Sequence, residues 1–325
     1  MFVSPATKRR AFLEISLILL LVAAISVAVF YRQNIKQYLI NIHAVDIIAD
    51  LKNIGETNIG HNEVIAKLNY KNLPIVVNKL DRCVCLNIRI RGVWEHQFAD
   101  KILSLVKPGD TIIELGANYG AYTLPMLDLV GEYGKVYAYE ANPMVYKSLL
   151  KSYALNEFSS ANLYNVAASN HSGKSVINFG YQNIGGGNVD AYDEHSQANN
   201  KFVVDTIKLD EHLAHVQNVQ LIKIDIEGSE INVLPHAARI IDSSPELIIA
   251  LEWSPQQLNK YNSDLQAFAQ FFATRQFNVL QLNIDGTISR LTYNDLLQPT
   301  HRELLLYKPD AEKLVLSKLE KFIKS

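Results

Sequence analysis

One short stretch constrains the fold of this 325-residue chain more than any other. Residues 111–115, Thr-Ile-Ile-Glu-Leu, form an apolar run that contains a single acid, Glu114, and the tight turn Gly116-Ala-Asn-Tyr-Gly120 follows. A second apolar run at 135–139 leads directly into another acid, Glu140. A strand, a glycine-containing turn, a helix and a second strand ending in an acid are typical of a β-α-β unit that binds a nucleotide-like cofactor.

Strand and helix patterns alternate through most of the chain after this point. We predict strands at 111–116, 135–140, 161–167, 221–226, 246–252 and 278–283, and helices at about 120–130, 143–156, 229–241 and 256–275. The strand candidates are nearly continuous apolar runs, which is typical of a parallel sheet buried on both faces. The alternation therefore predicts a doubly wound α/β sheet, closed near the end of the chain by an antiparallel strand from residues 287–291 and 303–307.

Segments outside this alternation carry weaker patterns. Residues 74–77 and 84–90 look like strands, as do 175–179 and 202–207, which flank a polar insert at 180–200. We expect the insert to be a mobile loop and a candidate lid over the site. Residues 311–325 form a basic amphipathic pattern, for which a packing helix is a simpler interpretation than a membrane contact.

The N-terminal region is almost wholly apolar from residue 15 to residue 31, with basic residues on both sides. We predict a single transmembrane helix, although a cleaved signal peptide or a buried globular helix would fit the same pattern. The predicted domain organisation is a tail and transmembrane helix at 1–32, an extension at 33–92 with a helix at 34–51, a catalytic domain at 93–310 and a C-terminal helix at 311–325.

Composition narrows the possible partners. The net charge is −2, so the chain has no basic excess for neutralising phosphates and we expect no nucleic-acid partner. The two cysteines, Cys83 and Cys85, are one residue apart, which is too close for an unstrained disulfide. They lie near no histidine pair at ligand spacing, and we expect no metal site.

The chemistry of the first turn favours one cofactor over another. The turn has the pattern Gly-x-x-x-Gly and lacks the additional glycine with which a dinucleotide-binding turn approaches a pyrophosphate. S-adenosylmethionine has no phosphate, so Asn118 is acceptable in the middle of the turn. Glu114 is suited to meet the ammonium group of this cofactor, and Glu140 is suited to accept both ribose hydroxyls.

A third block, Leu221-Ile-Lys-Ile-Asp225-Ile-Glu227-Gly-Ser-Glu230, places further acids at a strand end. Ligands of open α/β sheets bind outside the carboxyl ends of the strands, where Glu114, Asn118, Glu140, Asp225 and Glu252 are all predicted to lie. Glu227 and Glu230 also fit an ordinary first helical turn, in which acids interact well with the helix dipole. Asp225 is the more distinctive candidate for a catalytic group.

Five blocks together resemble the FkbM-type methyltransferases, across roughly residues 95–255. They are residues 114–123, 139–143, 165–168 with Ser172 and Gly173, 205–213, and 222–230. The resemblance implies a class I methyltransferase fold, which is Rossmann-like with a seven-stranded, mostly parallel sheet. It also implies S-adenosylmethionine as the cofactor and methyl transfer to an oxygen, usually a hydroxyl on a sugar or polyketide.

Carried over by position, the resemblance assigns roles to individual residues. Gly116, Ala117, Asn118 and Gly120 form the cofactor turn, Glu140 holds the ribose, and Ala167 is a further cofactor-binding residue. Asp225, with Glu227 as second choice, faces the reacting methyl group as candidate general base. Asn170 stands where an acid is common, which weakens the adenine assignment.

Partners and location follow as expectations. The acceptor is expected to be a small molecule, a glycan or a glycolipid, and the N-terminal helix is expected to contact the membrane. Because S-adenosylmethionine is made in the cytosol, we place the catalytic domain on that side, although the flanking charges weakly favour the opposite orientation. Two other classes remain open: a nicotinamide-dependent oxidoreductase, and a membrane-tethered binding module without turnover.

Overall fold

The computed structural model describes residues 56–158, 161–180, 182–191, 200–259 and 264–324. Within these ranges, no helix combines the length and the apolar character needed to cross a membrane. The predicted transmembrane segment at 15–31 and the predicted helix at 34–51 lie outside the described residues, as do residue 181 and residues 192–199 of the polar insert.

The first described elements form a small antiparallel sheet followed by two helices. They are β1 (Thr57–Gly60), β2 (Glu63–Lys67), β3 (Pro74–Asn78), α1 (Val84–Arg91) and α2 (His96–Ser104). The prediction of a strand at 84–90 was wrong, because this segment is α1. Asp81 Oδ1 accepts the backbone N–H groups of Cys83 and Val84 at 2.9 and 3.0 Å, which satisfies donors at the start of the helix. Sequence periodicity could not separate the two structures in so short an apolar run.

The remaining elements follow in the predicted alternation. The first group is β4 (Thr111–Leu115), α3 (Thr123–Val130), β5 (Lys135–Tyr139), α4 (Pro143–Asn156), β6 (Ala161–Tyr164), β7 (Ala167–Ala168), β8 (Gly173–Gly180), β9 (Asn183–Ala191), β10 (Lys201–Ile207) and α5 (Leu209–His212). The second group is β11 (Leu221–Ile224), α6 (Glu230–Val233), α7 (Ala238–Asp242), β12 (Ile248–Trp253), α8 (Pro255–Leu258), α9 (Leu265–Ala273), β13 (Asn278–Leu282), β14 (Ile288–Leu291), α10 (Tyr293–Leu296), β15 (Arg302–Tyr307) and α11 (Glu312–Leu319).

The central sheet has the strand order β14-β13-β15-β12-β11-β4-β5-β6. Strands β6, β5, β4, β11 and β12 are parallel, and β15 runs antiparallel to both of its neighbours. The predicted doubly wound α/β sheet is confirmed, but it has eight strands and not seven, because β14 pairs with the outer edge of β13. The strand order reverses between β4 and β11, and this is where an open α/β sheet binds its ligand.

Both faces of the central sheet are buried. Adjacent residues of β4 belong to different cores: Ile112 packs on one face and Ile113 on the other, and neither is exposed to solvent. Full burial of one such side chain contributes about 1.5–3 kcal/mol to stability. The two-sided burial explains why the strand sequences lack a polar–apolar alternation.

The insert at 180–200 is not simply a loop. Residues 183–191 form β9, which pairs antiparallel with β8 in a second sheet of order β7-β10-β8-β9. The insert is polar, but Ile184 is buried in the same core as residues of β2 and β3. At the other end of the chain, α11 buries Val315 and Leu319 against the central sheet, as expected for a packing helix.

Candidate active site

A cleft lies at the carboxyl ends of β4, β5 and β11. Eight of the nine predicted site residues line it, and they are Glu114, Gly116, Ala117, Asn118, Glu140, Ala167, Asp225 and Glu227. The ninth, Gly120, does not line the cleft. A Cβ atom at Gly120 would lie 2.7 Å from Leu149 Cδ1, so this glycine allows α4 to pack closely behind the turn.

The turn after β4 is held by contacts that only a glycine permits. Gly116 has a φ of +84°, and a Cβ atom there would lie 2.0 Å from the backbone oxygen of Asp225. Its N–H and that of Ala117 both donate to the Tyr139 carbonyl, at 3.0 and 2.9 Å. The turn is therefore fixed against the ends of both neighbouring strands.

Glu140 is linked to the turn through both of its carboxylate oxygens. Oε2 accepts the backbone N–H of Asn118 at 2.8 Å, and Oε1 accepts that of Asn142 at 2.7 Å. Each oxygen can still accept one more hydrogen bond, because a carboxylate oxygen has two lone pairs. Although Glu140 is only 5% exposed, it lines the cleft, so it is placed to receive a pair of adjacent hydroxyl groups.

Glu114 and Glu140 form the first wall of the cleft, and Glu114 is the more deeply buried of the two. Its side chain is 1% exposed, and Oε2 accepts a hydrogen bond from Thr123 Oγ1 at 2.6 Å. Thr123 begins α3, so the acid at the end of β4 is tied to the start of the next helix. On the neighbouring parallel strand β11, Lys223 is the register partner of Glu114.

The second wall of the cleft carries Asp225 and Glu227. Lys223 Nζ lies 3.1 Å from Asp225 Oδ2, and the lysine side chain is 7% exposed while that of Asp225 is 29% exposed. Burial opposes the charge on Lys223, but Asp225, Glu95 and Glu114 outweigh this effect and raise its pKa. Glu227 accepts a hydrogen bond from Gln257 Nε2 at 2.7 Å. The buried lysine therefore fixes the Asp225 carboxylate from one side, while the carboxylate remains partly open to the cleft.

The cleft is strongly acidic. Its titratable lining contains one lysine, Lys223, and six carboxyl groups, on Glu95, Glu114, Glu140, Asp225, Glu227 and Glu252. Burial raises the pKa of Glu114 and of Glu140 to about 7, against the opposing effects of the Lys223 charge and of their hydrogen-bond donors. Burial followed by repulsion from Asp225 raises the pKa of Glu252 to about 10. Such a site is suited to a cation, such as a sulfonium or an ammonium group, because a nearby positive charge favours the ionised form of each carboxyl group.

The glycine-containing strand β9 lies in the insert that was predicted to be a candidate lid, and it covers the cofactor turn. Asn118 Nδ2 donates to the Gly185 carbonyl at 3.3 Å, and Asn142 Nδ2 donates to the Ile184 carbonyl at 3.0 Å. The Gly185 N–H donates to Asp81 Oδ2 at 3.1 Å. Three polar side chains from separate parts of the chain thus hold this strand over the cleft, which Gly185 and the next two glycines line.

Several residues of the site were missed by sequence reasoning. Glu95 and Lys223 line the cleft, and Asp81 connects α1, the cofactor turn and β9. The three consecutive glycines were a usable signal, because small residues allow close approach to a neighbouring chain or ligand. Two histidines, His171 and His236, do not line the cleft: His171 contacts Ser169 and Asn170, and His236 contacts the Asn232 carbonyl.

Comparison with known families identifies this site. The family model for the methyltransferase FkbM domain matches residues 114–279, about half of the chain, including the cofactor turn, Glu140 and the Asp225 strand end. The chain belongs to the FkbM methyltransferase family. Its cofactor is S-adenosylmethionine, as expected from the sequence, and the acidic cleft fits this cation.

Three solved structures are distantly similar to this FkbM-family chain. M. jannaschii TYW2 in complex with AdoMet is 10% identical, with 77% of this chain and 87% of that chain covered and a TM-score of 0.40. An rRNA methylase from Streptococcus thermophilus is 10% identical, with 66% and 94% covered and a TM-score of 0.37. A precorrin-6y C5,15-methyltransferase from Geobacter metallireducens is 12% identical, with 65% and 87% covered and a TM-score of 0.37. No curated protein matches the chain.

Proposed function

We propose that this protein transfers the methyl group of S-adenosylmethionine to a hydroxyl oxygen of a small-molecule, glycan or glycolipid acceptor. One observation supports the proposal most directly. Asp225 and Glu227 line the same cleft as the cofactor turn, and the Asp225 side chain is accessible from it. A carboxylate at this position can take a proton from an alcohol, which is too weak a nucleophile to react well on its own.

Some residues of the cleft bind the cofactor, and others take part in proton transfer. S-adenosylmethionine supplies an electrophilic methyl group when it is bound. Glu140 accepts the ribose hydroxyls, Glu114 faces the ammonium group, and the apolar residues near Ala167 contact the adenine. These contacts orient the methyl group toward the second wall, where an acceptor oxygen must approach to about 3–3.5 Å and in line.

Asp225 is the proposed general base. As the oxygen–carbon bond forms and the sulfur–carbon bond breaks, the hydroxyl proton passes to Asp225 and the electron pair of the broken bond remains on sulfur. Lys223, at 3.1 Å, holds the carboxylate in place. Base catalysis of this kind contributes about 10²–10⁴ in rate. Glu227 is the second candidate, since it lines the same wall.

The location of the protein stays a prediction. We propose that residues 15–31 anchor the chain in a membrane and that the catalytic domain faces the cytosol, the compartment that makes S-adenosylmethionine. A membrane-anchored enzyme would act efficiently on an acceptor that is itself held in the membrane, which favours a glycolipid among the possible acceptors.

The test combines binding with metabolite analysis. Cells that express the wild-type protein or Asp225→Asn are grown with deuterium-labelled methyl-methionine, and glycans and glycolipids are compared by untargeted mass spectrometry. We expect labelled methylated species in wild-type cells only. The purified variant should bind S-adenosylmethionine within a few-fold of wild type in titration calorimetry. Asp100→Asn, an exposed residue of α2, is the matched control. A wild-type protein that does not bind S-adenosylmethionine would contradict the proposal, and equal labelling with Asp225→Asn would remove the base assignment.

A further inference from the structure

A second group of ligating side chains lies where β12 and β15 meet. Glu252 near the end of β12 is the register partner of Glu303 in β15, so the two carboxylates lie on the same face of adjacent antiparallel strands. Two carboxyl groups in directly opposite positions destabilise a sheet when both are charged, unless something compensates for them. Among the described residues, no lysine or arginine forms an ion pair with either carboxylate.

His301, directly before β15, completes the group. Its Nδ1 lies 3.6 Å from Glu252 Oε1, and its Nε2 lies 3.5 Å from Glu303 Oε1. These distances are too long for good hydrogen bonds, so the imidazole does not satisfy either carboxylate fully. One ligand atom from each of the three residues lies within 4.8 Å of the other two. Because the two carboxylates face different ring nitrogens, a shared ion with bonds of about 2.0–2.2 Å would bind one nitrogen and draw the other carboxylate toward it.

We propose that Glu252, His301 and Glu303 bind a divalent metal ion of the Mn²⁺ or Zn²⁺ type. Two carboxylates and one imidazole form a mixed oxygen and nitrogen set that suits these ions, whereas Mg²⁺ prefers oxygen ligands alone. An ion between the two opposed glutamates would also compensate for the charge of both carboxylates when they are ionised. The sequence did not suggest this site, because Glu252 and His301 are far apart in the chain and have no recognisable ligand spacing.

The position of the group suggests what the ion does. Glu252 lines the cleft together with Asp225 and Glu227, so an ion bound to it lies beside the wall where the acceptor reacts. Three protein ligands leave at least one position open, as in catalytic metal sites. The open position holds the acceptor hydroxyl and makes its proton easier to transfer to Asp225. This role, unlike the metal binding itself, depends on the proposed function.

The experiment is a metal titration of the full-length protein after treatment with EDTA. We expect one high-affinity site for MnCl₂ or ZnCl₂ by calorimetry, with weaker binding of MgCl₂. His301→Ala and Glu303→Gln should each weaken binding at least about tenfold, the scale expected when a metal site loses a supporting group. His236→Ala, which changes an exposed histidine away from the cleft, should bind the ion like wild type.

S-adenosylmethionine binding in EDTA serves as the check that each variant is folded. Absence of a one-to-one site in wild type, or equal affinity in His301→Ala and wild type, would overturn the metal proposal. If the protein binds S-adenosylmethionine but no metal, the proposed function stands and only the metal site fails. If it binds the metal but not S-adenosylmethionine, the metal site stands and the proposed function fails. Labelled methyl groups are also transferred into an acceptor fraction from a cell extract, with and without EDTA. If EDTA leaves this transfer unchanged, the catalytic role of the ion is refuted.

Discussion

Replacement of Glu140 by glutamine tests the cofactor site most directly. The carboxylate accepts two backbone N–H groups, from Asn118 and Asn142, and we propose that it also accepts two ribose hydroxyls. Glutamine has the same shape, but its NH₂ group cannot accept a hydrogen bond. One backbone N–H therefore loses its partner, and one hydroxyl faces a donor where it had an acceptor.

The expected loss of affinity follows from these changes. Hydrogen bonds to a charged group contribute about 1.5–3 kcal/mol, compared with about 0.5–1.5 kcal/mol for neutral pairs. A net loss of about 2 kcal/mol in binding corresponds to a dissociation constant roughly 30-fold higher, since each 1.4 kcal/mol is a factor of ten. We therefore expect Glu140→Gln to weaken S-adenosylmethionine binding about 10–100-fold at pH 8.

The pH dependence makes the test sharper. Burial raises the pKa of Glu140 to about 7, so the carboxylate is mostly ionised at pH 8 and roughly one-tenth ionised at pH 6. Protonated Glu140 resembles glutamine, because it also presents a donor on one side. The ratio of the variant and wild-type dissociation constants should thus be several-fold larger at pH 8 than at pH 6.

The measurement is titration calorimetry at both pH values, with thermal unfolding as the check on folding. Glu132→Gln, an exposed glutamate after α3, is the matched control and should behave like wild type. If Glu140→Gln bound S-adenosylmethionine within about twofold of wild type at pH 8, the assignment of Glu140 to the ribose would be refuted. A ratio that does not change with pH would refute the argument from its ionisation.

Four further outcomes follow from the structure. Asp225→Asn should reduce kcat by about 10²–10⁴ with little change in cofactor affinity, and a normal turnover rate would exclude it as the base. Gly185→Ala should weaken cofactor binding at least several-fold because its Cβ would lie 2.3 Å from Asn118 Nδ2, whereas Gly180→Ala in the same sheet has room and should not; the two are compared by calorimetry. Burial raises the pKa of the cleft glutamates, so the native state holds protons that the unfolded state has released. In urea unfolding without cofactor, the free energy of unfolding should therefore fall between pH 5 and pH 8, by about 3 kcal/mol for each glutamate whose pKa is shifted from 4.5 to about 7. A free energy of unfolding that rises over this range would contradict the assignment. A cysteine introduced after Arg32 should resist labelling from outside intact cells, and efficient labelling would reverse the proposed orientation.

The sequence was sufficient for the local parts of this protein. Glu114, Gly116 and Glu140 lie within thirty residues of one another, and the turn and strand ends that place them are local structures. Apolar runs at strand length and their alternation with helices predicted the parallel core of the sheet. The same local reasoning predicted a strand where Asp81 caps a helix, since a short apolar run fits either structure.

The tertiary structure alone decided what faces the cleft from a distance. Asp81 and the glycine-containing strand β9 contact the cofactor turn, and Glu95 lines the cleft, each from a distant part of the chain. His301 meets Glu252 only because β15 pairs antiparallel with β12. Such contacts depend on strand order and register, which no local pattern encodes. The sequence by itself therefore determined which cofactor the site binds. The packing of separate segments decided how many acidic groups and candidate metal ligands face the site, and that β9 covers it.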